Sequence, residues 1–187
     1  MAIQVAFRTL IEDRPGPGWQ AVFERAWPGY RAWFLRSGAV HVTLPDGVRL
    51  AWTRSGEGPA LVKAGNWLSH LKYDLESPLW RHWMDFFSQH YLFIRYDERG
   101  CGMSQWEVDD LSPARWDEDL AAVVDESDPG ERFILFGLSH GAAAAIAYAA
   151  KHPERVSRLI LYGGYVTGWA HSPESDGYRR YRAIVDL

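Results

Sequence analysis

The stretch that decides the fold is FILFGLSHGAAAAIAYAAKHP, residues 133–153. Phe133 to Phe136 form an apolar run of the kind found in a strand buried on both faces. The run breaks at Gly137-Leu138-Ser139-His140-Gly141, and Ala142 to Ala150 then read as a strong helix former. Strand, sharp turn with a serine between two glycines, and helix together make the G-x-S-x-G elbow in its required context. Such a turn forces its central residue into a strained backbone conformation, and the glycines let strand and helix pass close together. The Ser139 hydroxyl is therefore expected to stand clear of the sheet as a nucleophile. The amide of His140, at a helix N-terminus, is expected to point where an oxyanion would sit. The side chain of His140 is expected to be structural, because the elbow turns successive side chains apart.

Around this centre the strand rhythm starts at Ala39. Val40, Val42 and Leu44 alternate with His41 and Thr43, and Pro45-Asp46-Gly47 turns the chain into Val48 to Trp52, which predicts an antiparallel hairpin. Ala60 to Ala64 is a short buried strand leading into Gly65-Asn66-Trp67. A helix is expected from Ser77-Pro78 to His90, with serine as cap and proline in the first turn. Tyr91 to Tyr96 is the next strand, Ser112-Pro113 opens a helix to about Glu126, and Val156 to Tyr162 is a further strand. Two antiparallel strands followed by strand–helix alternation predict an α/β sheet.

Residues 1–38 read differently. Pro15-Gly16-Pro17-Gly18 is a strong break, and Phe23, Trp27, Tyr30 and Phe34 then recur at helical spacing, with Pro28 dividing the run. The expected organisation is a helical N-terminal extension over 1–38 and a single α/β domain over 39–187.

Composition narrows the function classes. Among 187 residues the formal net charge is −4 and no basic block occurs, which argues against a nucleic-acid partner. The one cysteine, Cys101, excludes an internal disulfide, and the scattered histidines form no ligand pair for a metal. No cofactor is implied. Without a signal pattern or a long apolar run, a soluble cytoplasmic protein with no membrane contact is expected. Ten tryptophans point to core filling or to an aromatic-lined pocket.

Three motifs in register carry a resemblance to the α/β-hydrolase fold family over residues 39 to 187: the Gly65-Asn66-Trp67 turn after the third strand, Asp97-x-Arg99-Gly100-x-Gly102-x-Ser104 after the fourth, and Gly137-x-Ser139-x-Gly141 after the fifth. Esterase-like and prolyl-aminopeptidase-like members, and hydrolase-like domains attached to bacterial regulators, are the most similar. The resemblance implies a mostly parallel sheet with helices on both faces. It also implies a serine hydrolase that cleaves short-chain carboxylic esters through an acyl-enzyme on Ser139. The oxyanion amides would come from His140 and from Asn66 or Trp67, and Trp67 and Tyr165 would line the substrate site. Asp97 and Arg99 are expected to pair, fixing their loop beside the elbow. In place of the family's usual His-Gly the chain has Ala64-Gly65 or Gly65-Asn66, which leaves the second donor open between Asn66 and Trp67.

The family places its acid and its histidine on strands after the sixth, and these are missing before Leu187, so the fold is expected to be a shortened one. A serine hydroxyl needs a base; His171 or Asp176, both after the sixth strand, is the substitute candidate, with His171 taken as the base. An apolar, unpaired edge at the sixth strand favours a homo-oligomer. The alternative reading is a non-catalytic module that binds or senses a small molecule.

Overall fold

The computed structural model describes residues 38–165. The expected N-terminal helical extension, and the residues after Tyr165 that include His171 and Asp176, lie outside them. The described chain runs β1 (Val40–Thr43), β2 (Arg49–Ser55), β3 (Ala60–Lys63), α1 (Tyr73–Glu76), α2 (Arg81–His90), β4 (Leu92–Tyr96), α3 (Pro113–Ser127), β5 (Phe133–Leu138), α4 (Gly141–Lys151) and β6 (Val156–Tyr162). The strands form one six-stranded sheet in the order β1-β2-β4-β3-β5-β6. The β1–β2 and β2–β4 pairs are antiparallel, and β4–β3, β3–β5 and β5–β6 are parallel. This is the α/β architecture read from the sequence.

Because neighbouring side chains on a strand point to opposite faces, the buried strands sort into two cores. Leu61, Phe93, Ile134 and Phe136 meet Met84, Trp80, Trp83 and Phe87 at and just before α2. Val62, Ile94 and Leu135 meet Leu120, Val123 and Val124 of α3 and Ala145 and Tyr148 of α4. Helices thus cover both faces, which is why β3, β4 and β5 can be apolar at nearly every position. Several tryptophans are core filling in the plain sense: the Trp83 ring stacks on Phe136 at 6.0 Å, and Trp52 lies in the second core.

One local expectation needs correction. The helix expected from Ser77-Pro78 begins at Arg81. Ser77 is extended at ψ 127°; its hydroxyl accepts from the Leu79 amide, and its carbonyl accepts from Trp80 and Arg81. Serine thus caps a turn that leads into the helix. Ser112 and Pro113 do open α3 as read, although the Ser112 hydroxyl makes no capping bond.

Among the described residues β6 pairs on one side only, with β5. Leu159, Ile160, Leu161 and Tyr162 are 39, 43, 46 and 58% exposed. No helix of the described residues is long and apolar enough to cross a membrane.

Candidate functional site

In this strand order the chain passes from β3 to β4 on one side and then crosses past β3 to β5 on the other. The carboxyl ends of the three strands flank such a switch point, where open α/β sheets bind ligands. The loops that follow them carry the three motifs of the sequence.

Ser139 follows β5 with φ 55°, one of the few non-glycine residues at positive φ. That conformation costs an L-residue about 1–2 kcal/mol. It is held by bonds on both sides: the Ser139 amide donates to Tyr162 O at 3.0 Å, and Ala142 N donates to Ser139 O at 3.1 Å. The side chain is exposed. Each glycine of the motif answers a close approach. A Cβ on Gly137 would lie 2.6 Å from Ala142 Cα, and one on Gly141 would lie 2.4 Å from the carbonyl oxygen of Gly65. The second contact also fixes a relation between motifs, because the loop after β3 is pressed directly on the elbow.

In that loop Asn66 is buried, and its Oδ1 accepts a hydrogen bond from Lys63 Nζ. Its Nδ2 donates to the Trp67 carbonyl at 3.1 Å. The Trp67 amide donates to Nδ1 of His140 at 3.2 Å, and Nε2 of His140 lies 2.7 Å from Oε2 of Glu98. Leu68 follows at φ 64°, a second strained residue in the cluster. Trp67 and Tyr165 are exposed, and the Trp116 ring lies 5.0 Å from that of His140. Among the described residues nothing accepts from the backbone amides of Asn66 and His140. The structure therefore brings Asn66, Trp67, Ser139 and His140 into one constellation. It adds Glu98, for which the sequence offers no signal, since its contact with His140 spans 42 positions.

Asp97 and Arg99 do not pair. Asp97, fully buried, accepts from Ser69 Oγ at 2.7 Å and from the amides of Leu71 and Met103 at 2.9 and 2.8 Å. Arg99 turns the other way, into a two-pronged pair with Asp119 of α3 at 2.6–3.1 Å, and reaches Asp46 at 2.9 Å. Each group has its partners supplied elsewhere, so neither is left for the other. Asp97 ties the loops after β3 and β4 together, and Arg99 ties its loop to α3 and to the hairpin turn. Asp119 was legible in principle as a lone carboxylate on the apolar stripe of Leu120, Val123 and Val124.

Behind the loop after β3 lies a buried charge. Burial pushes the Lys63 ammonium down to about 8, offset in part by Asp74, while Arg95 adds to the depression. Burial likewise raises the Asp74 carboxyl to about 6. Arg95 Nη1 lies 3.5 Å from Asp74 Oδ2. The sign for Lys63 follows from proton linkage. Between about pH 8 and 10.5 the unfolded chain holds the proton more tightly, so the penalty of the buried charge is full below pH 8 and fades as pH rises. Lys63→Met is expected to be most favourable relative to wild type at pH 7.5. That advantage should shrink by about 2 kcal/mol at pH 10, measured by urea denaturation at both pH values. An advantage that does not change with pH would contradict this account.

Cys101 is buried, donates its thiol to Ser69 O at 3.2 Å, and is pushed up to about 12 by burial and by the charges of Asp97 and Glu98. At neutral pH it is a thiol and a poor nucleophile. Among the described residues no group of three or more His, Cys, Asp or Glu side chains is placed to hold a metal ion.

Residues 67–180 match the family model described as the alpha/beta hydrolase fold. With the sheet order, the elbow and this match, the chain belongs to the alpha/beta hydrolase fold family. A 2-hydroxymuconate semialdehyde hydrolase from Pseudomonas putida is 36% identical over 105 residues, which is 50% of this chain and 36% of that one. A proline iminopeptidase from Neisseria gonorrhoeae is 34% identical over 91 residues, or 45% of this chain and 28% of that one. Among solved structures, an alpha/beta hydrolase from Sphaerobacter thermophilus DSM 20745 aligns with a TM-score of 0.52 at 33% identity, covering 65% of this chain and 44% of that one. The chain thus spans roughly a third of the length of those curated relatives.

Proposed function

We propose that the protein is a serine hydrolase that cleaves short-chain carboxylic esters, with Ser139 as nucleophile. The observation that carries this reading is the exposed Ser139 at φ 55°, strained in a turn that two close-packed glycines and two backbone bonds enforce. In the proposed reaction Ser139 Oγ attacks the ester carbonyl and forms a bond to its carbon. The carbonyl oxygen takes the negative charge beside the amides of His140 and of the loop after β3, and the alcohol leaves with a proton. Water then attacks the acyl-enzyme, releases the acid and returns the proton to Ser139. A base must accept the Ser139 proton. The His140 ring is not available for this, as both its nitrogens are engaged with Trp67 and Glu98. His171, the remaining candidate, lies outside the described residues.

A non-catalytic binding module is the second reading, and one observation favours it: the histidine beside Ser139 is turned to structural use. A homo-oligomer is proposed on the exposure of Leu159 to Tyr162 along β6, where a further strand would cover apolar surface. Turnover of p-nitrophenyl esters from acetate to octanoate, by wild type and Ser139→Ala together, separates the two functions. Ester cleavage that depends on Ser139 is expected. Ligand binding without turnover in either protein would leave the binding module.

A further inference from the structure

Three loops converge on the imidazole of His140, and its hydrogen bonds admit one tautomer. A backbone N–H is only a donor, so Nδ1, 3.2 Å from the Trp67 amide, is the unprotonated acceptor. Nε2 then carries the proton and donates it to Glu98 Oε2 at 2.7 Å. A carboxylate can only accept, so Glu98 fixes the tautomer that Trp67 requires. Glu98 is itself held among buried neighbours: its side chain is 12% exposed, and its Cβ lies 3.2 Å from the position a Cβ on Gly65 would take.

The consequence falls on the loop after β3. The Trp67 amide is occupied by the ring, whereas those of Asn66 and His140 have no acceptor among the described residues. Asn66 is further pinned through its side chain by Lys63 Nζ and by its own bond to the Trp67 carbonyl. The strained Leu68 turns the chain away immediately afterwards. We propose that Glu98 and His140 are positioning residues: their hydrogen-bonded pair takes up the Trp67 amide, docks the 65–67 loop on the elbow, and leaves the amides of Asn66 and His140 as the oxyanion donors. The oxyanion part rests on Ser139 being the nucleophile; the positioning part does not. Since an oxyanion exists only along the reaction, disturbing the pair lowers kcat more than it raises KM.

The test uses the full chain with ¹⁵N-labelled histidine, and compares wild type with His140→Phe, His140→Asn and Glu98→Leu. In wild type the His140 Nδ1 resonance is expected to be that of an unprotonated nitrogen. The Trp67 amide should exchange about tenfold more slowly than in His140→Phe. Asparagine, whose Oδ1 stands near the place of Nδ1, should restore that protection, and Glu98→Leu should mix the tautomers. With an ester substrate, His140→Phe should lose about tenfold in kcat with little change in KM, and His140→Asn should recover part of the loss. A protonated Nδ1, or Trp67 exchange that is equal in wild type and His140→Phe, would overturn the positioning pair. An unchanged kcat in His140→Phe would overturn the oxyanion assignment. If tautomer and exchange behave as expected while wild type turns over no ester, the positioning pair stands and the esterase reading falls.

Discussion

Replacing Ser139 with alanine is expected to lower ester turnover by at least about 10³-fold, with no loss of stability. The size follows from the role assigned to the hydroxyl: without it no acyl-enzyme forms, and what remains is the contribution of oxyanion donors and substrate binding. The stability side follows from the backbone. Ser139 stands at φ 55° and its amide and carbonyl, not its hydroxyl, make the bonds that hold the turn. Ser139→Gly should therefore be equally inactive yet more stable than wild type by about 1 kcal/mol, because glycine occupies that region without penalty. A variant that loses activity while gaining stability marks a residue strained for function rather than for folding. Kinetics beside urea denaturation of the three proteins checks both halves.

The second large effect is on folding. Arg99→Leu is expected to destabilise the protein by about 3–5 kcal/mol, as removal of one partner of a buried ion pair does. The Arg99 side chain is 1% exposed and Asp119 is 1% exposed, so the lone carboxylate would have no water to turn to. The same guanidinium also donates to Asp46 in the hairpin turn and to the Asp110 carbonyl. Against a typical domain stability of about 5–15 kcal/mol the loss leaves little margin. Arg81 supplies the control. It pairs with Asp85 at 3.9 Å, both side chains well exposed, and Arg81→Ala should cost less than about 0.5 kcal/mol. Equal small effects at both arginines would contradict the view that Arg99 clamps α3 to the loop after β4.

How much of this was legible in the chain itself depends on the range over which each feature is determined. The elbow was readable because strand alternation, glycine spacing and an alanine-rich helix are local, and each points to the same turn. The hairpin and the opening of α3 at Ser112-Pro113 were readable for the same reason. The start of α2 was displaced because serine followed by proline caps a turn as readily as a helix, and only the carbonyl of Ser77 reveals which. The Asp97–Arg99 pair failed for a different reason: closeness in sequence says nothing of which donors a buried carboxylate will meet. Ser69, Leu71 and Met103 satisfy Asp97, and Asp119 satisfies Arg99. Within the candidate site the sequence left Asn66 and Trp67 equivalent. What separates them is the His140 ring and the Glu98 carboxylate, brought together only by the sheet order.

The measurement that bears most directly on Ser139 is reaction of the intact protein with a fluorophosphonate, followed by mass spectrometry of the whole chain and of its peptides. Phosphonylation forms a bond from a hydroxyl oxygen to phosphorus with loss of fluoride, and it needs an activated hydroxyl. The expected result is one adduct per chain, on the peptide containing Ser139, and none in Ser139→Ala. An unmodified wild-type chain, or an adduct carried by another residue, would contradict the assignment of Ser139 as the nucleophile.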